Sequence, residues 1–162
     1  MTEQEIKRVK QYLYSISRLE LSAANLRHSI EDIEGQLQGS IIKSTVYDKI
    51  VVTGGESSSK PESAAENDER LTERLLDLRS YLGRQERKLS QFDNAMELLS
   101  REGHLGHLAA NIVRHKYIQR IAPDYTIYAK RLYCSRITFY RAHRIGIRFF
   151  YEVIPECKMI LS

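Results

Sequence analysis

The chain has 162 residues, 42% of them hydrophobic, enough for one domain with extensions or for two small ones, and a net charge of only +4. No apolar run approaches the roughly 20 residues of a membrane span, and MTEQEIKRVK leads into no signal-peptide core, so no membrane partner and a cytoplasmic location are expected. Two cysteines, Cys134 and Cys157, match neither a zinc spacing nor a disulfide framework and are expected as free thiols, while the absence of Trp and only three Pro favour helix.

From residue 2 to about 37, Ile6, Val9, Leu13, Ile16, Leu19, Ala23, Leu26, Ile30, Ile33 and Leu37 recur at steps of three and four. That is a heptad pattern with one three-residue stammer, and it predicts a helix with a narrow apolar stripe. Such a helix needs a partner. From about 66 to 101, Leu71, Leu75, Leu78, Leu82, Gln85, Leu89, Phe92, Met96 and Leu99 repeat the pattern with one polar entry, Gln85. Gln85 either fixes how the helix pairs or sits at an exposed edge. Two stripes of similar length fold back most simply as a long, coiled-coil-like antiparallel hairpin, although pairing between two chains satisfies the same pattern. Between them, about 38 to 63, lies a long insertion: SIIKSTVYDKIVVT is β-branched and reads as a short extended segment or hairpin, and residues 54–62 read as disordered.

The glycines of SREGHLG end the second long helix and mark a hinge. A third helix is predicted over 107–121, with Leu108 and Ile112 on one face, stopped by Pro123. Two short helices follow. In the first, Tyr128, Ala129 and Leu132 face inward; Tyr133 and Cys134 turn the chain, and Ser135 caps the second. Along that second helix Phe139, Ala142, Gly146, Phe149 and Phe150 form the core side. Ile137, Tyr140, Arg141, Arg144 and Arg148 run along the other. The expected fold is therefore all-α, a heptad-patterned hairpin over 1–101 followed by a small helix-turn-helix unit over 102–162.

Charge points to a partner for that last unit. Between Asn111 and Arg148 nine Lys or Arg stand against one acid, Asp124, a net of +8, whereas the whole chain carries +4. A solvated face usually mixes its signs to form i,i+4 pairs; repelling charges at this density are better explained by a polyanion. Double-stranded DNA is the expected partner. An enzyme is not expected: there is no Walker A loop, Gly-x-Ser-x-Gly, His-Glu-x-x-His or paired Cys motif. His104, His107 and His115 have no carboxylate or Cys at a matching spacing, so neither a metal nor another cofactor is expected.

The segment YAKRLYCSRITFYRAHRIGIRFF resembles the helix-turn-helix of sigma factor region 4. Tyr128 and Ala129 match its aliphatic-Ala pair, Leu132 its Leu, Cys134 and Ser135 its aliphatic-Ser turn, and Arg136, Thr138 and Phe139 the start of its recognition helix. Tyr133 stands where that family has Gly, so a positive φ is not assumed there. A helical first half with a long polar insertion before such a unit is similar in layout to the phage late-gene activators of the RinA and ArpU type. The resemblance implies a sequence-specific regulator that activates packaging and structural genes. The helix from Ser135 would enter the major groove, with Arg136, Ile137, Tyr140, Arg141 and Arg144 toward base edges. Lys130, Arg131, Ser135 and Arg148 would touch phosphate. Tyr140 has the alternative of packing against the third helix. Partners would include host RNA polymerase and a second copy, with a dimer favoured. The alternative is the DNA-binding small subunit of a phage packaging terminase, whose assembly would be a ring; a further one is a module that binds an acidic protein.

Overall fold

A computed structural model describes residues 1–47 and 60–158, with side chains described for 1–39 and 65–158. Among the described residues every regular element is helical, so the fold is all-α. The long helices are α1, Glu3–Tyr47, and α2, Lys60–Arg101; then come α3, Gly103–Val113, and α4, Arg136–Val153. Two wide π turns, Arg114–Ile118 and Thr126–Arg131, lie between α3 and α4, and a 3-10 turn, Pro155–Cys157, follows. Thr2 and Glu5 start α1 as a reciprocal cap: the Glu5 N–H donates to the Thr2 hydroxyl at 3.3 Å and the Thr2 N–H to the Glu5 carboxylate at 2.6 Å.

Both long helices exceed their expected bounds. Residues 40–47 continue α1, so the extended segment read from their β-branched side chains is corrected over that range. β-branching lowers helix propensity by only a few tenths of a kcal/mol per residue, too little to stop a helix already propagating. Residues 60–63, read as loop, form the first turn of α2, where Pro61 is tolerated because its missing N–H would have no intrahelical acceptor. The rest of the insertion, 48–59, with most of the stretch read as disordered, lies outside the described residues.

The chain divides into two compact units, one of residues 1–21 with 87–162 and one of 22–86, rather than at the expected boundary of 101 and 102. The reason lies in the first unit's core. Val9, Leu13 and Ile16 of α1 and Phe92, Met96 and Leu99 of α2 are buried in the same cluster as Ile112, Phe139 and Phe150. The Phe92 and Phe150 rings stack at 5.6 Å, and Tyr14 meets Tyr117 edge-on at 4.8 Å. Arg120, one of the cations counted above, is held in this unit by a 2.9 Å bond to the Ser17 hydroxyl.

The second unit has a thin core. Ile30, Ile33 and Leu75 are buried, with Leu37, Leu71, Leu78 and Leu82 half-buried around them. Its cross-helix contacts run in opposite chain directions: Ser22 meets Gln85, and Glu34 meets Arg79. Gln85 is buried, 4% exposed, so the edge alternative for it does not hold. Its amide nitrogen donates to Ser22 Oγ at 3.1 Å, while its Oε1 has no partner among the described residues.

Candidate nucleic-acid interface

The first short helix of the cationic segment is a π turn. The Leu132 N–H donates to the Ile127 carbonyl at 2.9 Å, a five-residue step, and the Cys134 N–H to the Tyr128 carbonyl at 2.9 Å. The wider winding makes Ile127 the fully buried residue, while Tyr128, Ala129 and Leu132, expected to face inward, are half-buried. Ile127 escaped the sequence reading because a 3.6-residue period was applied where the backbone takes a longer one. The chain then turns at Tyr133, which has φ +49°. This is the left-handed region that glycine enters freely, and a tyrosine there is strained by about 1 kcal/mol.

Ser135 ends the turn with extended backbone, and its hydroxyl accepts from the Thr138 N–H at 3.1 Å. The same oxygen lies 2.8 Å from Thr138 Oγ1, so this side chain, expected at phosphate, is already engaged as the cap of α4. The cap fixes where α4 begins. Phe139, Ala142, Gly146 and Phe150 are buried as expected, Phe149 is only half-buried, and Ile147 is buried although the sequence reading passed over it. Gly146 lets α4 approach α3 closely, since a Cβ there would stand 3.3 Å from Val113 Cγ2 and 3.5 Å from Ala109 Cβ.

The opposite side of α4 forms one open surface lined by Arg136, Ile137, Tyr140, Arg141, Arg144 and Arg148. All five residues expected at base edges, with Arg148, thus lie together. Arg136, Arg141 and Arg144 are exposed and form no ion pair among the described residues. Arg148 differs: its Nε donates to Glu152 at 2.8 Å, so any phosphate it met would compete with that carboxylate. Lys130 and Arg131 are exposed on the π turn before the bend.

Tyr140 packs within its own helix and on the segment before it, with no ring contact or hydrogen bond to the third helix among the described residues. Its ring packs edge-on against Phe139 at 5.1 Å, and its hydroxyl donates to Asp124 at 3.4 Å, yet it is 39% exposed on the cationic side. The Arg136 guanidinium lies 5.7 Å from the centre of the same ring, which restricts where that cation points. Asp124, the single acid of the segment, is in turn gripped by Lys116 at 2.6 and 2.7 Å. Lys116 is therefore spent within the fold.

Behind this surface lies a residue the sequence reading missed. His143 stacks on Phe139 and on Tyr117, and its Nε2 is 2.8 Å from the Tyr117 hydroxyl. Burial, then the nearby Lys116 and Lys10, push its pKa down to about 4 against a partial upward pull from Asp124. Burial also pushes the Tyr117 phenol above its ordinary value, so the phenol donates and the neutral imidazole accepts. The signal was present: residues 139, 143, 146 and 150 recur at steps of four, three and four.

Among the described residues no three His, Cys, Asp or Glu side chains come together in a way that would hold a metal. Cys134 and Cys157 are both free thiols, the first half-buried at the turn and the second buried. No described helix is long and apolar enough to cross a membrane. No family model, curated protein or solved structure matches the chain.

Proposed function

We propose that this chain is a sequence-specific double-stranded DNA-binding regulator of transcription that lays α4 in the major groove. One observation carries the reading: Arg136, Arg141 and Arg144 share a single exposed face with Ile137 and Tyr140, without carboxylate partners among the described residues. Guanidinium groups at the start of a capped helix have the reach and geometry to bond a guanine edge bidentately. Lys130 and Arg131 supply phosphate contacts that set the helix in place without choosing sequence. Late-gene activation in a phage, contact with host RNA polymerase and a dimeric assembly are the narrower form of this proposal, and they rest on the resemblance.

The test is to pass fragmented genomic DNA of the source, prophage included, over the purified chain near physiological salt and sequence what is retained. An Arg141→Ala, Arg144→Ala variant serves as control, since both side chains are exposed and their removal leaves the core intact. Truncating an arginine that holds a guanine bidentately should weaken specific binding roughly 5- to 100-fold, while non-specific binding falls far less. An equal fall in both, or even retention of all fragments by the unaltered chain, would refute the reading.

A further inference from the structure

Tyr133 and Ile137 are 85% and 83% exposed, the highest values among the large hydrophobic side chains of the described residues, and they stand on either side of the Ser135 cap. Single exposed apolar residues need no explanation. These two differ because the fold makes no use of them. The Tyr133 side chain has neither a ring contact nor a hydrogen-bond partner among the described residues, although its backbone sits at φ +49°, where glycine would relieve the strain. A tyrosine at a position that disfavours it, 85% exposed and without a ring contact or hydrogen bond among the described residues, is free to meet something outside the chain.

The surroundings say what that something is. Lys130 and Arg131 precede the pair, and Arg136, Arg141 and Arg144 accompany and follow it, all exposed. A surface that covers apolar groups flanked along the chain by so many exposed cations must combine anionic with apolar parts. The major groove of DNA fits this description wherever it carries thymine, because the C5-methyl is the apolar group on its floor and phosphates line both rims.

We infer that Tyr133 and Ile137 read thymine methyl groups, so that the preferred duplex carries thymines where the start of α4 enters the groove. The inference rests on the DNA-binding reading above and adds a base identity to it. The arginines select guanine through hydrogen bonds; the apolar pair selects thymine through the burial of methyls, and removal of one methyl costs about fourfold in affinity.

The experiment begins with selection from a random-sequence double-stranded pool by the full chain, followed by resynthesis of the selected duplex with deoxyuridine in place of thymidine. This change deletes methyls and leaves every hydrogen-bonding group of the bases as it was. The unaltered chain should lose about fourfold in affinity per methyl removed under α4. Ile137→Ala and Tyr133→Gly should each lose part of that sensitivity. Tyr133→Gly should also unfold at a higher temperature than the unaltered chain, which separates a missing methyl reader from a damaged fold. A selected duplex without thymine beneath α4, or one whose affinity ignores the substitution, overturns the inference and leaves sequence-specific binding standing. A pool that yields no enriched sequence overturns both.

Discussion

His143 should make this protein weaken on mild acidification, before its carboxylates titrate. Its pKa is 6.5 when unperturbed and about 4 in the fold, where burial and the charges of Lys116 and Lys10 oppose a second positive charge. Because the folded value is depressed, the unfolded chain takes up the proton first. Stability is complete above about pH 6.5, falls as pH drops toward 4, and loses nothing more from this group below that. Linkage over this window puts the loss between pH 7.5 and pH 5 at about 2 kcal/mol. The assay is urea unfolding at several pH values, run in parallel on His143→Gln, whose amide accepts from Tyr117 Oη without titrating. The variant keeps every other ionisable group, so the difference between the two pH profiles isolates His143. Parallel profiles from pH 7.5 to pH 5 would refute the half-buried, neutral imidazole and with it the account of how α4 is backed.

Three further substitutions test the packing. A Cβ at Gly106 would collide with the Leu99 carbonyl oxygen, a backbone atom that cannot yield, so Gly106→Ala should destabilise by about 1–3 kcal/mol in thermal unfolding. Gly35→Ala, where a Cβ meets nothing within 4 Å, should instead stabilise by about 0.5–1 kcal/mol, and similar effects at both sites would contradict the geometry of the α2–α3 junction. Gln85→Leu removes an unpartnered Oε1 from a buried seam and should raise the urea midpoint, a gain of about 1–2 kcal/mol. A lower midpoint would mean that the bond to Ser22 outweighs that orphaned oxygen.

Much of the helical framework was legible because one physical rule wrote it. Every position of the two heptad stripes from Ile6 to Leu37 and from Leu71 to Leu99 is buried or half-buried. The Ser135 cap was equally readable, since a hydroxyl before an amphipathic run has a local role that needs no tertiary information. What escaped depended on distant parts of the chain. The first α1 turns group with α4, where Tyr151 donates to Glu5, as do the last α2 turns, where Phe92 and Phe150 stack, and no periodicity records which stripe meets which. Ile127 was lost to a change of helical pitch, and His143, which stands at the same helical spacing as Phe139, Gly146 and Phe150, was assigned to neither face. At the candidate interface the sequence supplied the residues of one face but not their ties: that Arg148 holds Glu152, that Lys116 holds Asp124, and that Arg136 lies on Tyr140.

The first unit is built from both ends of the chain. Glu5 accepts from the Tyr151 hydroxyl across 146 residues, and Arg8 reaches the Lys158 carbonyl across 150. During synthesis Glu5 and Arg8 can meet Tyr151 and Lys158 only after α4 and the turn that follows it have left the ribosome. Val9, Leu13 and Ile16 share their core with Phe92, Met96 and Leu99 of α2 and with Ile112, and α4 adds Phe139 and Phe150 to it. Contacts of such sequence separation are slow to form because chain closure must precede them. The pairing of Ser22 with Gln85 shortens the wait, since a zipped 22–86 segment joins residues 21 and 87 as a short loop would. A change that breaks the Ser22–Gln85 pairing should therefore slow refolding of a core in which the described residues of 22–86 have no member, as stopped-flow kinetics would read.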